Sequence, residues 1–434
     1  MKRRSFSGFS RPLTLTVTAL ACLTASALQA PNLMGGELTD ASALGKAPVL
    51  EIPEKKAEPW IRPTADIRAR YEYGDQADRN ASNAETLRGR IGLLTKEYHG
   101  FQFFAEYDGT IAADTSTYQA ASVDGLGQNL TIIADPESSR LGQAWGSYSA
   151  LDSIIKVGRQ KIVHDDHRYI GNVGWRQTQQ TYDAIDLGLG LVEQLPVSYT
   201  IVNGVNRIFG SQTKANPAQN DFDGVSHFVR TTYDGLPFGK LTLLAYMLDL
   251  GNEAGDTKSN KSFGAFLKGP LPFYDLVSYH LEYGYQSDAF DNSNDYTAHY
   301  VRGMLDAAVG EKHTLGLGYE RLGSDNGVGY QFPLSTLHKF NGLADVFLTT
   351  PPDGLQDIYV SGGTKLPWDL GGKLVYHKFY NAGASVDYGN EINFLISKNL
   401  GRGFSAIGMY AYYWAGDDRY VDTNRFTLEV NYKF

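Results

Sequence analysis

Arg425-Phe426-Thr427-Leu428-Glu429-Val430-Asn431-Tyr432-Lys433-Phe434 closes the chain, and its reading decides the fold. Side chains of an extended segment point alternately to opposite faces. Phe426, Leu428, Val430, Tyr432 and Phe434 therefore share one face, and Arg425, Thr427, Glu429, Asn431 and Lys433 the other. Upstream the pattern recurs. Val277, Tyr279, Leu281, Tyr283 and Tyr285 alternate with Ser278, His280, Glu282, Gly284 and Gln286. Phe101, Phe103, Ala105 and Tyr107 alternate with Gln102, Phe104, Glu106 and Asp108; Leu87, Gly89, Ile91 and Leu93 with Thr86, Arg88, Arg90 and Gly92. In the first such segment Ile67, Ala69, Tyr71 and Tyr73 oppose Asp66, Arg68, Arg70 and Glu72. Clusters of Gly, Asn, Asp and Pro separate these half-apolar strands.

Composition narrows the class. The chain has 434 residues, 42% hydrophobic and 12% aromatic, and its longest apolar run, Leu13 to Leu23, is too short to cross a bilayer as a helix. The aromatic content excludes a disordered chain. A formal charge of −9 with no long block of Lys or Arg excludes a nucleic-acid binder.

The apolar run reads instead as a secretory signal over residues 1–27. Lys2, Arg3, Arg4 and Arg11 precede it, small residues follow, and Ala30 offers a second cleavage position. Removal leaves a chain four charges more acidic and takes away Cys22, the only cysteine, so no disulfide, thiolate metal site or thiol nucleophile remains. Residues 28–61, rich in Pro, Ala, Glu and Lys, read as a flexible periplasmic arm. Residues 62–434 form the third region.

Alternation alone suits a soluble β protein equally well. Three features point to a transmembrane antiparallel up-and-down β-barrel in the outer membrane of a Gram-negative cell. Aromatics gather at segment ends, as in interfacial girdles. Tight links such as Tyr98-His99-Gly100 alternate with long ones such as 112–139, 161–180 and 207–223, the rhythm of periplasmic turns and extracellular loops. Finally, the terminal Phe434 resembles the signature by which the barrel assembly machinery takes up its clients.

Candidate strands lie near 62–74, 84–96, 100–111, 140–150, 153–160, 181–190, 196–206, 224–234, 239–250, 260–268, 273–287, 295–308, 311–322, 355–366, 370–380, 388–399, 403–415 and 423–434. That makes eighteen, or sixteen if two weak segments such as 153–160 are discounted. A further apolar stretch, 338–349, carries Phe340, Leu343, Ala344, Phe347 and Leu348 at helical spacing and is predicted to be a short helix inside one long loop, 323–354.

An Arg on the lipid face at mid-depth costs about 2–4 kcal/mol. Arg88 and Arg90 must therefore point inward, and the same test sends Arg68, Arg70, Lys156, Arg230, Arg302, Lys365 and Arg425 into the lumen with Glu106, Asp108, Asp186, Glu282, Glu320 and Glu429. Two readings of this lining stand side by side: a salt-bridged wall, or an arginine ladder that guides anions. Loop 161–180 carries Tyr169, Ile170, Val173 and Trp175 among His164, Asp165, Asp166, His167, Arg168, Asn172 and Arg176. So many large apolar groups do not suit a loop facing only water, and the loop is predicted to fold inward and narrow the pore.

The runs Val157-Gly158-Arg159-Gln160-Lys161-Ile162, Gly171-Asn172-Val173-Gly174-Trp175-Arg176-Gln177 and Gln180-Thr181-Tyr182-Asp183-Ala184 resemble the alginate export family. So do Asn206-Arg207-Ile208-Phe209-Gly210, Leu236-Pro237-Phe238-Gly239-Lys240-Leu241, Phe340-Asn341-Gly342 and Gly354-Leu355-Gln356-Asp357. The resemblance implies a monomeric eighteen-stranded channel that passes an anionic polysaccharide or acidic oligosaccharide, with periplasmic export partners and no cofactor. By motif it makes Arg88, Arg90, Arg159, Arg176 and Arg207 heirs to the substrate contacts.

Rival functions remain open from sequence. An uptake porin for small acidic solutes fits the same lining, and a pore conducts in both directions. His164-Asp165-Asp166-His167 offers metal-ligand chemistry but no recognised ligand spacing, so no metal is assigned. A hydrolase would need a Ser, a His and an acid on one wall; Ser278 and His280 have no acid partner better than Glu282, so no enzyme is expected.

Overall fold

The computed structural model describes residues 59–120, 129–190, 192–209, 221–252 and 255–434. The predicted signal and nearly all of the arm lie outside the described residues. Eighteen antiparallel strands follow in chain order: β1 Ile61–Gln76, β2 Ser82–Thr95, β3 Phe101–Ala112, β4 Ser138–Tyr148, β5 Ser153–Gln160, β6 Thr181–Leu189, β7 Val197–Asn206, β8 Phe222–Leu236, β9 Gly239–Leu248, β10 Asn260–Leu271, β11 Tyr274–Asp288, β12 Thr297–Val309, β13 His313–Leu322, β14 Leu355–Leu366, β15 Leu370–Tyr380, β16 Asp387–Gly401, β17 Phe404–Ala415 and β18 Thr423–Lys433.

Each strand pairs with its sequence neighbours, and β1 also pairs with β18, from Asp66 opposite Lys433 to Gln76 opposite Thr423. The terminal residue completes the seam: Ala65 N–H donates to Phe434 O at 3.1 Å, and Phe434 N–H to Ala65 O at 3.0 Å. A closed sheet leaves no edge, which is what a lipid environment demands of strands.

The faces follow the alternation. Leu87, Ile91 and Leu93 are exposed on the outside of β2, while Arg88 and Arg90 are buried inside. On β3, Phe103 and Tyr107 face outward while Glu106 and Asp108 are buried. Connections at one barrel end are tight. Arg402 and Gly403, between β16 and β17, both have positive φ, 53° and 82°, as a type I′ turn requires. A Cβ on Gly403 would sit 2.2 Å from Lys433 O, so the turn admits no side chain there.

The predicted helix over 338–349 does not form. A single 3-10 turn, Leu337–Lys339, is all the helix in this stretch. Asn341, Gly342 and Asp345 take left-handed φ values of 56°, 93° and 62°, which break an α-helix. The apolar residues spaced three and four apart instead dock separately into the barrel: Phe347 packs against Phe379, Tyr388 and Tyr413.

Candidate functional site

The barrel interior has two unlike halves. In the half nearer the long loops, inward side chains of β6–β10 and β12–β17 meet loops 161–180 and 323–354 in one apolar cluster that includes Tyr169, Ile170, Tyr246, Tyr300, Tyr330 and Phe332. In the half nearer the tight turns, inward positions stay polar and accessible. Lys156, Lys161, Lys268, Lys365, Lys373 and Lys433 are half-buried or exposed there, with Asp66, Asp186 and Asp306. Among the described residues, none of these lysines lies within 4 Å of a carboxylate oxygen.

Loop 161–180 does fold inward, and it crosses the bore as a strap. Its four consecutive polar residues diverge rather than converge. His164 Nδ1 meets Tyr246 Oη at 2.8 Å. Asp165 accepts Arg230 Nε at 2.7 Å, and Asp166 accepts Arg302 Nη1 at 2.6 Å. His167 O accepts the Thr336 N–H at 3.1 Å, tying the strap to loop 323–354. Arg168, fully buried, pairs with Glu320 at 2.9 Å and lies over the Phe332 and Phe340 rings. Burial, aided by nearby Arg230, pushes the His164 imidazole down to about 4, and burial with Lys339 does the same to His167. Burial alone would raise the Asp166 carboxyl, but Arg302 and Lys339 hold it below the usual carboxylate range.

The far end of the strap is gripped by the arginine ladder. Arg68 Nη1 donates to Gly174 O at 3.2 Å and Trp175 O at 2.8 Å. Arg70 also donates to Trp175 O and lies 4.0 Å from the centre of its indole. Arg90 Nη2 donates to Gln177 O at 2.7 Å, and Arg140 to Gln179 O. Four wall arginines thus bind backbone carbonyls of one loop. Arg176 reaches back to Glu72 at 3.2 Å and Asp345 at 2.8 Å, and Trp175 stacks on His338 with ring centres 4.2 Å apart. Asn172 holds the strap's own turn, its carbonyl accepting the Gln180 N–H at 2.7 Å.

The wall arginines are also paired with acids. Arg70 bonds Glu429 at 2.7 Å and Asp135 at 3.2 Å; Arg88, wholly buried, bonds Asp66; Arg90 bonds Asp108 at 3.2 Å; Arg425 bonds Glu72 at 3.3 Å. The arginines line the interior, and most are spent on wall acids and on the strap. The lysines, by contrast, stay accessible and outside these pairs. Four of them, Lys161, Lys268, Lys373 and Lys433, had no place in the sequence reading of the lining, although Lys433 sits on the same face as Arg425 and Glu429.

Arg159 departs from expectation. It lies three residues from the inward Lys156, so alternation puts it on the outer row with Val157, where it binds Asp183 through two contacts of 2.8 Å near the long-loop rim. Arg207, just past β7, lies over the Phe222 ring at 4.5 Å, and its carbonyl accepts Arg140 at 3.0 Å. Lys365 is exposed at the tight-turn end of β14. His280 bonds Glu282 at 2.9 Å and stacks on Phe266, so the wall His of the hydrolase reading is engaged with the acid beside it.

Comparisons with known proteins agree with this architecture. No curated protein matches the sequence. Among solved structures, Acinetobacter baumannii OccAB4 superposes with a TM-score of 0.66 at 14% identity, covering 87% of this chain and 99% of its own. Pseudomonas aeruginosa OpdK, crystallised with vanillate, gives 0.66 at 14% identity over 86% of this chain and 98% of its own. Pseudomonas aeruginosa OccK11 gives 0.63 at 15% identity over 86% and 96%. At such identities the likeness speaks for the fold. Residues 60–202 match the alginate export family, and the described residues form a closed eighteen-stranded barrel that shares its fold with these outer-membrane structures.

Proposed function

We propose that the chain is a passive outer-membrane channel for acidic saccharides, entered through a lysine-lined vestibule and narrowed by the 161–180 strap. One observation carries the reading: among the described residues of the accessible half, inward lysines outside any ion pair outnumber inward carboxylates. A low-dielectric wall with unpaired ammonium groups concentrates anions. The arginines act mainly by holding the strap, and Arg68 and Arg230, paired but partly exposed, add positive potential beside it. The match of residues 60–202 to the alginate export family favours uronate chains as the solute.

A second reading, uptake of small acidic solutes, draws on the likeness to OpdK, whose crystal structure holds vanillate. It uses the same vestibule and differs only in solute size. Liposome swelling separates the two. Uronate oligosaccharides that enter faster than neutral oligosaccharides of equal length support the first reading. Entry of monomeric acids alone supports the second, and equal rates for acidic and neutral solutes contradict both.

A further inference from the structure

Phe104 and Trp145 project inward from adjacent strands β3 and β4, in register, with ring centres 5.6 Å apart and planes tilted by 42°. They lie in the accessible half, each three residues from the tight-turn end of its strand, and both stay part-exposed. The aromatic residues of the other half are covered by the strap and by loop 323–354; these two are not. Large apolar rings left facing a polar bore need an explanation.

One lysine lies against the pair, and a second follows on the same segment of chain. Lys156, on the inward row of β5, holds its ammonium 4.9 Å from the centre of the Trp145 ring, with no carboxylate of the described residues within 4 Å. Lys161 is held above the same strand by its N–H, which donates to Gln143 Oε1 at 3.1 Å, two residues along the row from Trp145. Asp186, in register with Lys156 and half-buried, takes a hydrogen bond from Thr200 at 2.7 Å through one of its two oxygens.

We propose that Phe104, Trp145, Lys156 and Lys161 form a binding subsite for a ring that carries a carboxylate, the shared chemistry of a uronate sugar and a benzoate-type acid. The ring lies against the aromatic pair, the carboxylate meets the ammonium groups, and Asp186 accepts from a ring hydroxyl where one exists. The subsite rests on the channel reading above and adds a solute class to it.

Tryptophan emission of the whole protein in detergent tests it, read as the difference between wild type and Trp145→Phe. Galacturonate, benzoate, glucose and acetate serve as probes. The subsite predicts that galacturonate or benzoate perturbs the Trp145 signal at concentrations where glucose and acetate do not. Lys156→Gln should weaken that response and Lys156→Arg restore it. Phe104→Ala should raise the apparent dissociation constant about three- to tenfold, the loss of one aromatic contact. Response to galacturonate alone assigns the sugar acid; response to benzoate alone assigns the aromatic acid. Equal responses to acetate and the cyclic acids, or an unchanged response in Lys156→Gln, overturn the subsite. Ion currents in planar bilayers keep the two claims apart. Current without a ring-acid response sinks the subsite alone, and a ring-acid response without current sinks the channel reading alone.

Discussion

Replacing Asp165 and Asp166 together by Asn should loosen one end of the strap while leaving the barrel closed. Asp165 holds Arg230, and Asp166 holds Arg302 at 2.6 Å. A hydrogen bond to a charged group contributes about 1.5–3 kcal/mol. Both pairs keep some solvent access, with Asp166 30% and Arg230 25% exposed, and Asn retains one acceptor, so about 1–1.5 kcal/mol each is the better figure. The two arginines stand on β8 and β12, so the losses add to about 2–3 kcal/mol. At about 1.4 kcal/mol per factor of ten, the undocked strap gains roughly 30- to 150-fold in population. A minor state of about 0.1% would rise to several per cent. Arg68, Arg70, Arg90 and Arg140 still clamp the other end through its carbonyls. Single-channel recordings should therefore show brief visits to one new, higher conductance level rather than a fully open pore. Dwell-time distributions identical to wild type would refute the claim that these pairs hold a constriction.

Three further outcomes follow from the same geometry. Neutralising Lys156 and Lys161 should lower anion preference more than neutralising Arg88 and Arg90, measured as reversal potential, because both arginines already have acid partners. Acidification from about pH 6.5 to about 4 should raise conductance noise. The docked strap holds His164 and His167 with pKa values near 4 against an ordinary 6.5, so docking is fully present above 6.5 and weakens as protons bind preferentially to the undocked loop. Noise that is flat across that window contradicts the burial of both rings. Ile91→Arg, on the lipid face of β2 and 60% exposed there, should cost about 2–4 kcal/mol in reversible unfolding from bilayers; a neutral result would mean that β2 is turned over.

The strands were legible because their signal is local. Each candidate segment lies within a few residues of an observed strand, and parity together with the cost of an arginine facing lipid sent Arg88 and Arg90 inward. The inward fold of loop 161–180 was legible from Tyr169, Ile170 and Trp175, too apolar for a loop in water. Less could be read where the partner lies far along the chain. Arg68 grips carbonyls 106 and 107 residues away, and carbonyls carry no sequence signature. Loop 323–354 read as helical at 338–349 because spacing was scored without the left-handed Asn341-Gly342 corner, which sends Phe340 and Phe347 to separate sites. Arg159 was placed inward by motif against its own parity with Lys156, and there the alternation was the better guide.

Reversal potential of the wild-type pore in a salt gradient bears most directly on the lysine-lined bore. Potassium chloride at unequal concentrations across a planar bilayer should give a potential displaced toward the chloride equilibrium value. A displacement toward potassium, or a reconstituted barrel that passes no current, would contradict the account.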